Sequence, residues 1–134
     1  MTDPVSTRRF IHSGSPYEEL AGYSRAVVEG EWVFVSGTLG QDFKTGLFAV
    51  GAEAQTEQAL DTIEAALAEV PARLSDVVRV RVYVPDRGDV MAVSGVIKRR
   101  LGAARATNTT VCTPLAVAEA RVEIEVTAKV SAPA

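Results

Sequence analysis

The first half of the chain reads as strands, short apolar and β-branched runs separated by polar and glycine-containing turns. Arg9-Phe10-Ile11-His12 is a short candidate, and Tyr23 to Val28 and Trp32 to Ser36 flank Glu29-Gly30-Glu31, a pattern that predicts a β-hairpin. Gly37 to Gly51, with Gly40, Asp42, Lys44, Thr45 and Gly46, reads as a long loop. From Ala52 the period changes. Leu60, Ile63, Leu67 and Val70 fall at helical spacing in an Ala- and Glu-rich segment that ends before Pro71. The β-branched run Val77 to Val84 is bounded by Pro85-Asp86. A second helix is predicted from about Asp89 to Leu101, with Val93, Ile97 and Leu101 on one face and Lys98, Arg99 and Arg100 on the other. Two more strands close the chain, around Thr109 to Pro114 and Arg121 to Val130.

The order β-β-β-α-β-α-β-β predicts an α+β sandwich: one mixed sheet with both helices on one face. The last strand carries the consequence. Val122, Ile124, Val126 and Ala128 point one way, and Arg121, Glu123, Glu125 and Thr127 the other. A face without helices needs water or a partner, so an oligomer is expected.

Composition narrows the function classes. At 134 residues and 14.2 kDa the chain is one domain, residues 1–134, with loose ends expected at about 1–7 and 131–134. Apolar residues at 47% and charged residues at 23% exclude a disordered chain. The net charge of −3 and scattered arginines argue against a nucleic-acid partner. No apolar run approaches the roughly 20 residues that span a bilayer, and the N-terminus shows no signal core, so a cytoplasmic protein without membrane contact is expected. One cysteine, Cys112, excludes an internal disulfide, and one histidine, His12, leaves no ligand set for a usual zinc or haem site.

No catalytic constellation stands out from spacing alone. Ser36 sits in Val-Ser-Gly without a nucleophile elbow, and it reads as a strand-end residue before a turn. His12 reads as a surface or strand-edge residue. Cys112, in an apolar strand with no basic neighbour, reads as a buried, inert thiol. Gly37-x-x-Gly40 lacks the Lys-Ser/Thr pair of a phosphate loop, and Arg99-Arg100 reads as a solvated helix face. Glu123 and Glu125 have two readings, an ordinary polar strand face or a carboxylate that positions a water and shuttles its proton.

Taken in order, several stretches resemble the RidA family, also called YjgF, RutC, endoribonuclease L-PSP or translation inhibitor proteins. They are Ser15-Pro16-Tyr17, Gly22 to Val27, Val33-Phe34-Val35-Ser36-Gly37, Lys44-Thr45-Gly46, Ala54 to Leu60, Asp76-Val77-Val78 and Val122-Glu123-Ile124-Glu125. The resemblance runs from about Arg9 to Lys129. It implies a chorismate-mutase-like fold assembled as a homotrimer, with a small-molecule ligand in each cleft between subunits. It also implies cofactor-free and metal-free hydrolysis of reactive enamines and imines such as 2-aminoacrylate to 2-keto acids and ammonia. By position, Glu123 corresponds to the residue that positions the water, while Tyr23 and Ser36-Gly37 shape the pocket.

One feature departs from the family. Its members grip the substrate carboxylate with an arginine; counting back fifteen residues from Glu123 lands here on Asn108, and a one-residue gap moves the position to Thr107. Arg105 matches a neighbouring arginine of the same segment and is expected to share the strand face of Thr107. A charge-assisted hydrogen bond to a carboxylate is worth about 1.5–3 kcal/mol, so its loss predicts weak deaminase activity or a different substrate. A cofactor-free deaminase is thus the first expectation. A non-catalytic trimer that binds a small metabolite is the second, and a ribonuclease or translation inhibitor the third.

Overall fold

The computed structural model describes residues 8–130, and the loose ends expected at 1–7 and 131–134 lie outside the described residues. Six strands form one sheet: β1 (Arg8–Ile11), β2 (Ala26–Glu29), β3 (Trp32–Leu39), β4 (Val77–Val84), β5 (Thr107–Cys112) and β6 (Glu123–Lys129). Their spatial order is β1-β2-β3-β6-β4-β5. Neighbours pair antiparallel except β4 and β5, which run parallel because a helix crosses between them. The helices are α1 (Pro16–Ala21), α2 (Ala52–Ala68) and α3 (Val90–Leu101). The predicted α+β class and the mixed sheet hold.

The core lies between one sheet face and α2 with α3. Val33, Val82, Val84 and Ile124 of the sheet are fully buried, and so are Leu60, Ile63, Leu67 and Val93 of the helices. Burial of each such branched side chain is worth about 1.5–3 kcal/mol. The predicted apolar faces therefore pack as the helical period requires. Arg99 and Arg100 of α3 are not free in solvent. Both bond Glu57 of α2, and Arg100 also reaches Asp61 at 2.9 Å.

Local features differ from the sequence reading. Strand β3 runs on through Gly37 to Leu39, so Ser36 lies inside the strand and the expected loop starts only at Gly40. Helix α1 was not expected, although Ser15 caps it by accepting from Tyr17 N at 3.2 Å, Pro16 opens it and Gly22 ends it in the left-handed region. Six residues are too few for a periodic pattern to show. Tyr23 to Arg25 are not strand; they precede β2, and Tyr23 and Arg25 line the site described below. Cys112 is exposed, because β5 is an edge strand whose end lacks cover, so the expected buried thiol is corrected.

The helix-free face is more apolar than β6 alone predicts. One register row crosses it as Phe10, Val27, Phe34, Thr127, Arg79 and Thr107. Phe10 and Phe34 are 59% and 45% exposed there, with Trp32 and Val78 beside them at 41% and 42%.

Candidate active site

Glu123 opens β6, opposite Leu39 of β3 and Tyr83 of β4. The pairing of β3 with β6 slips between Val35 and Thr38, and this irregularity brings Gly37 against the carboxylate. A Cβ on Gly37 would stand 2.7 Å from Glu123 Oε2 and 2.9 Å from Cδ. Glycine is needed at this position for close approach. Beside the carboxylate is a cavity of about 200 Å³, lined by Tyr17, Tyr23, Arg25, Gly37, Phe43 and Glu123 among others. Its walls are mainly aromatic and apolar, with one cation and one anion.

The cation is Arg25, only 1% exposed. Its Nη1 donates to Gly37 O at 2.9 Å and to Thr38 Oγ1 at 2.8 Å, and its Nε donates to Glu18 Oε2 at 3.3 Å. The rings of Tyr23 and Phe43 lie 5.7 and 5.4 Å from the guanidinium carbon, within cation–π range. Glu18 is itself buried and accepts from Ser13 N at 3.2 Å and from the Ser13 hydroxyl, with His12 Nδ1 at 3.4 Å. A buried guanidinium is stable here because a carboxylate, a carbonyl and a hydroxyl take its donors.

The two carboxylates are pushed in opposite directions. Burial alone would raise Glu18, but the Ser13 hydrogen bonds and the Arg25 charge outweigh it and hold the carboxyl below the usual range. Burial raises Glu123; Arg25 opposes the rise and Glu125 adds to it, leaving the carboxyl above its ordinary value. A carboxylate with increased proton affinity beside an aromatic cavity is suited to taking a proton from water.

The structure brings together some of the expected residues and separates others. Tyr23, Gly37 and Glu123 share the cavity. Ser36 supports it from behind: its hydroxyl donates to Ser24 O at 2.7 Å and its N–H to Arg25 O at 2.9 Å. Asn108 is elsewhere. It pairs with Val80, which is buried beneath the helices, so its side chain belongs to the helix face and lines a separate hollow of about 290 Å³ with Lys98 and Arg105. Three residues along and two strands across from Glu123, it lies roughly 14 Å away by ordinary sheet spacings, on the opposite face. The expectation that Arg105 shares the Thr107 face is corrected: β5 begins only at Thr107, and Arg105 has left-handed backbone, φ 53°, after a turn of 3-10 helix. His12 is exposed, as expected of a surface residue.

Sequence reading missed Arg25 as a site residue. Only its place between Tyr23 and the strand hinted at a role, since a charged residue so close to an apolar hairpin strand is either solvated or paired. Among the described residues no three His, Cys, Asp or Glu side chains converge to hold a metal ion. No described helix is long and apolar enough to cross a membrane.

Comparison with known proteins fits this arrangement. A crystal structure of a Mycobacterium tuberculosis member of the YjgF/YER057c/UK114 family has a TM-score of 0.84 and 39% identity, covering 92% of this chain and 99% of that one. RidA from an Antarctic Psychrobacter gives 0.82 at 28% identity, over 91% and 99% of the two chains. A 2-iminobutanoate/2-iminopropanoate deaminase of Dermatophagoides farinae is 29% identical over 122 residues, 90% of this chain and 95% of that protein. The family model for endoribonuclease L-PSP matches residues 14–130, and the chain belongs to that family, which includes the YjgF/UK114 and RidA proteins.

Proposed function

We propose that this protein hydrolyses a small reactive enamine or imine, such as a 2-imino acid, with Glu123 as the base. The observation that carries the reading is the partly buried Glu123 carboxylate, seated on Gly37 at an aromatic cavity and raised in proton affinity. A water held by Glu123 adds its oxygen to the imine carbon while the carboxylate takes a proton. That proton passes to the nitrogen to give the carbinolamine; its hydroxyl proton then follows to the nitrogen as the carbon–nitrogen bond breaks and the carbonyl forms, and ammonia leaves with a 2-keto acid as product. No organic cofactor or metal takes part, and the reaction belongs in the cytoplasm. The likeness to the mite deaminase supports the substrate class.

The working unit is a homotrimer in which the apolar helix-free face is covered by second copies and the cleft draws on two chains. Phe34, Trp32 and Val78 on that face favour this assembly. Asn108 and Arg105 reach a shared ligand only if a neighbouring copy supplies them, since within one chain they lie apart from Glu123. Asn108 in place of an arginine favours a second reading, a metabolite-binding trimer without turnover or with a substrate other than the family's. One experiment separates the two. Ammonia and pyruvate release from 2-aminoacrylate is followed for the wild type and for Glu123→Gln. Turnover lost at least about 100-fold in the variant supports the hydrolase, because an amide cannot accept the water's proton. Ligand binding without turnover in either protein supports the second reading.

A further inference from the structure

The catalytic reading uses Glu123 and leaves unexplained why an arginine is buried beside it with a second buried carboxylate behind. Burial of a full ion pair seldom increases stability over an apolar replacement, so the cluster needs another reason. We infer that Arg25 is the positioning residue of this site: one guanidinium serves two carboxylates, bonded to Glu18 and lining the cavity with Glu123, and it clamps the part of β3 against which Glu123 rests. The inference rests on the assignment of Glu123 as the base.

Two structural facts support it. The Nη1 group of Arg25 holds Gly37 O and Thr38 Oγ1, so the guanidinium fixes the backbone that the Glu123 carboxylate touches. Its remaining nitrogen, Nη2, makes no hydrogen bond among the described residues, although the side chain borders the Glu123 cavity. Glu18 therefore consumes only part of the charge, and Glu123 feels the rest.

The other groups facing Glu123 do not replace this control. Tyr17 and Tyr23 across the cavity are phenols. Tyr83, the β4 partner of Glu123, gives its hydroxyl to Glu125. Glu125 lies two residues along β6 with Arg81 at 3.7 Å, and Arg121, two residues before Glu123, is drawn to Asp89 at 2.7 Å. Arg25 is the cation that lines the cavity with Glu123.

The series predicts shifts of opposite sign. Loss of the cation in Arg25→Gln disfavours the Glu123 carboxylate and raises its pKa further. Loss of the rear anion in Glu18→Gln frees the cation's field for Glu123 and lowers its pKa. The test is a carbon-13 NMR titration of the Glu123 carboxyl in the full chain, assigned by the signal missing in Glu123→Gln. This readout needs no substrate, so a failed deaminase assay leaves it standing. Arg25→Lys retains the charge and should stay near the wild-type value. If Arg25→Gln does not fold, the neutral double variant Arg25→Gln/Glu18→Gln is compared with Glu18→Gln, and the pKa must be higher in the double variant. Shifts of opposite sign establish the series. Shifts of the same sign, or none, overturn it, because a purely structural role would disturb Glu123 alike in both variants.

Discussion

Gly37→Ala tests the seat of the candidate base with one methyl group. Gly37 has no positive φ, so alanine meets no backbone penalty there, and the methyl collides only with Glu123. The built Cβ lies 2.7 Å from Oε2, whereas ordinary contact begins at about 3.4 Å, so the carboxylate must retreat by somewhat under 1 Å. The colliding atoms are the far end of a flexible side chain. The stability cost is therefore small, about 0.5–1.5 kcal/mol for an off-rotamer glutamate. The catalytic cost is larger, since a misplacement near 1 Å can lower turnover by about 100-fold.

Pyruvate release at saturating substrate measures the second effect, and thermal melting the first. Glu123→Asp, one methylene shorter, supplies the control. It is slow by itself, yet adding Gly37→Ala should slow it less than the same change slows the wild type, a positive coupling between contacting residues. Wild-type turnover in Gly37→Ala would refute the argument, as would purely additive losses in the double variant.

Further outcomes follow from the same geometry. Glu123 has a raised pKa, so its contribution to stability is fullest below the ordinary carboxylate range, about pH 4, and is lost as pH rises through the raised value. The melting temperature of the wild type minus that of Glu123→Gln should therefore fall from pH 4 to pH 8; a flat difference contradicts the burial argument. Glu18 acts in the opposite sense: its stabilisation is present above the ordinary range and lost as acid titrates it, and Glu18→Ala should cost about 3–5 kcal/mol at neutral pH by stranding Arg25. Light scattering should give about three times the 14.2 kDa chain mass, and a stable monomer at micromolar concentration would remove the proposed cleft. Asn108→Arg should raise turnover of 2-iminopropanoate about 10- to 100-fold. Assemblies mixed from Asn108→Arg/Glu123→Gln chains and wild-type chains should keep part of that gain, because the new arginine then serves a neighbour's glutamate; wild-type rates in the mixture would place the effect elsewhere.

Most of the fold was legible because burial imposes period. Val80 to Val84 and Val122 to Val126 alternate as their sheet faces do, and Leu60, Ile63 and Leu67 repeat as α2 turns. What escaped lacks a period. Helix α1 is signalled by caps alone, and Cys112 sits in a strand whose residues read as apolar but whose edge position is fixed by the order of the other five. Strand order depends on the insertion of β6 between β3 and β4, pairings across 40 residues or more that no local pattern encodes.

The candidate site was legible in part for a related reason. Glu123, Gly37 and Tyr23 could be assigned by resemblance, since each stands at a fixed place in a short motif. Arg25 lies in one of those motifs as well, but its importance comes from burial beside two carboxylates that are 7 residues before it and 98 after it. Charge on a single residue says nothing of where its counter-charges will be. Asn108 shows the converse. Counting along the chain places it beside Glu123 in a shared site, yet the register with Val80 turns it to the other sheet face. In the proposed trimer Asn108 acts on the cleft only through a neighbouring copy, whereas Arg25 lines the cavity of its own chain beside Glu123.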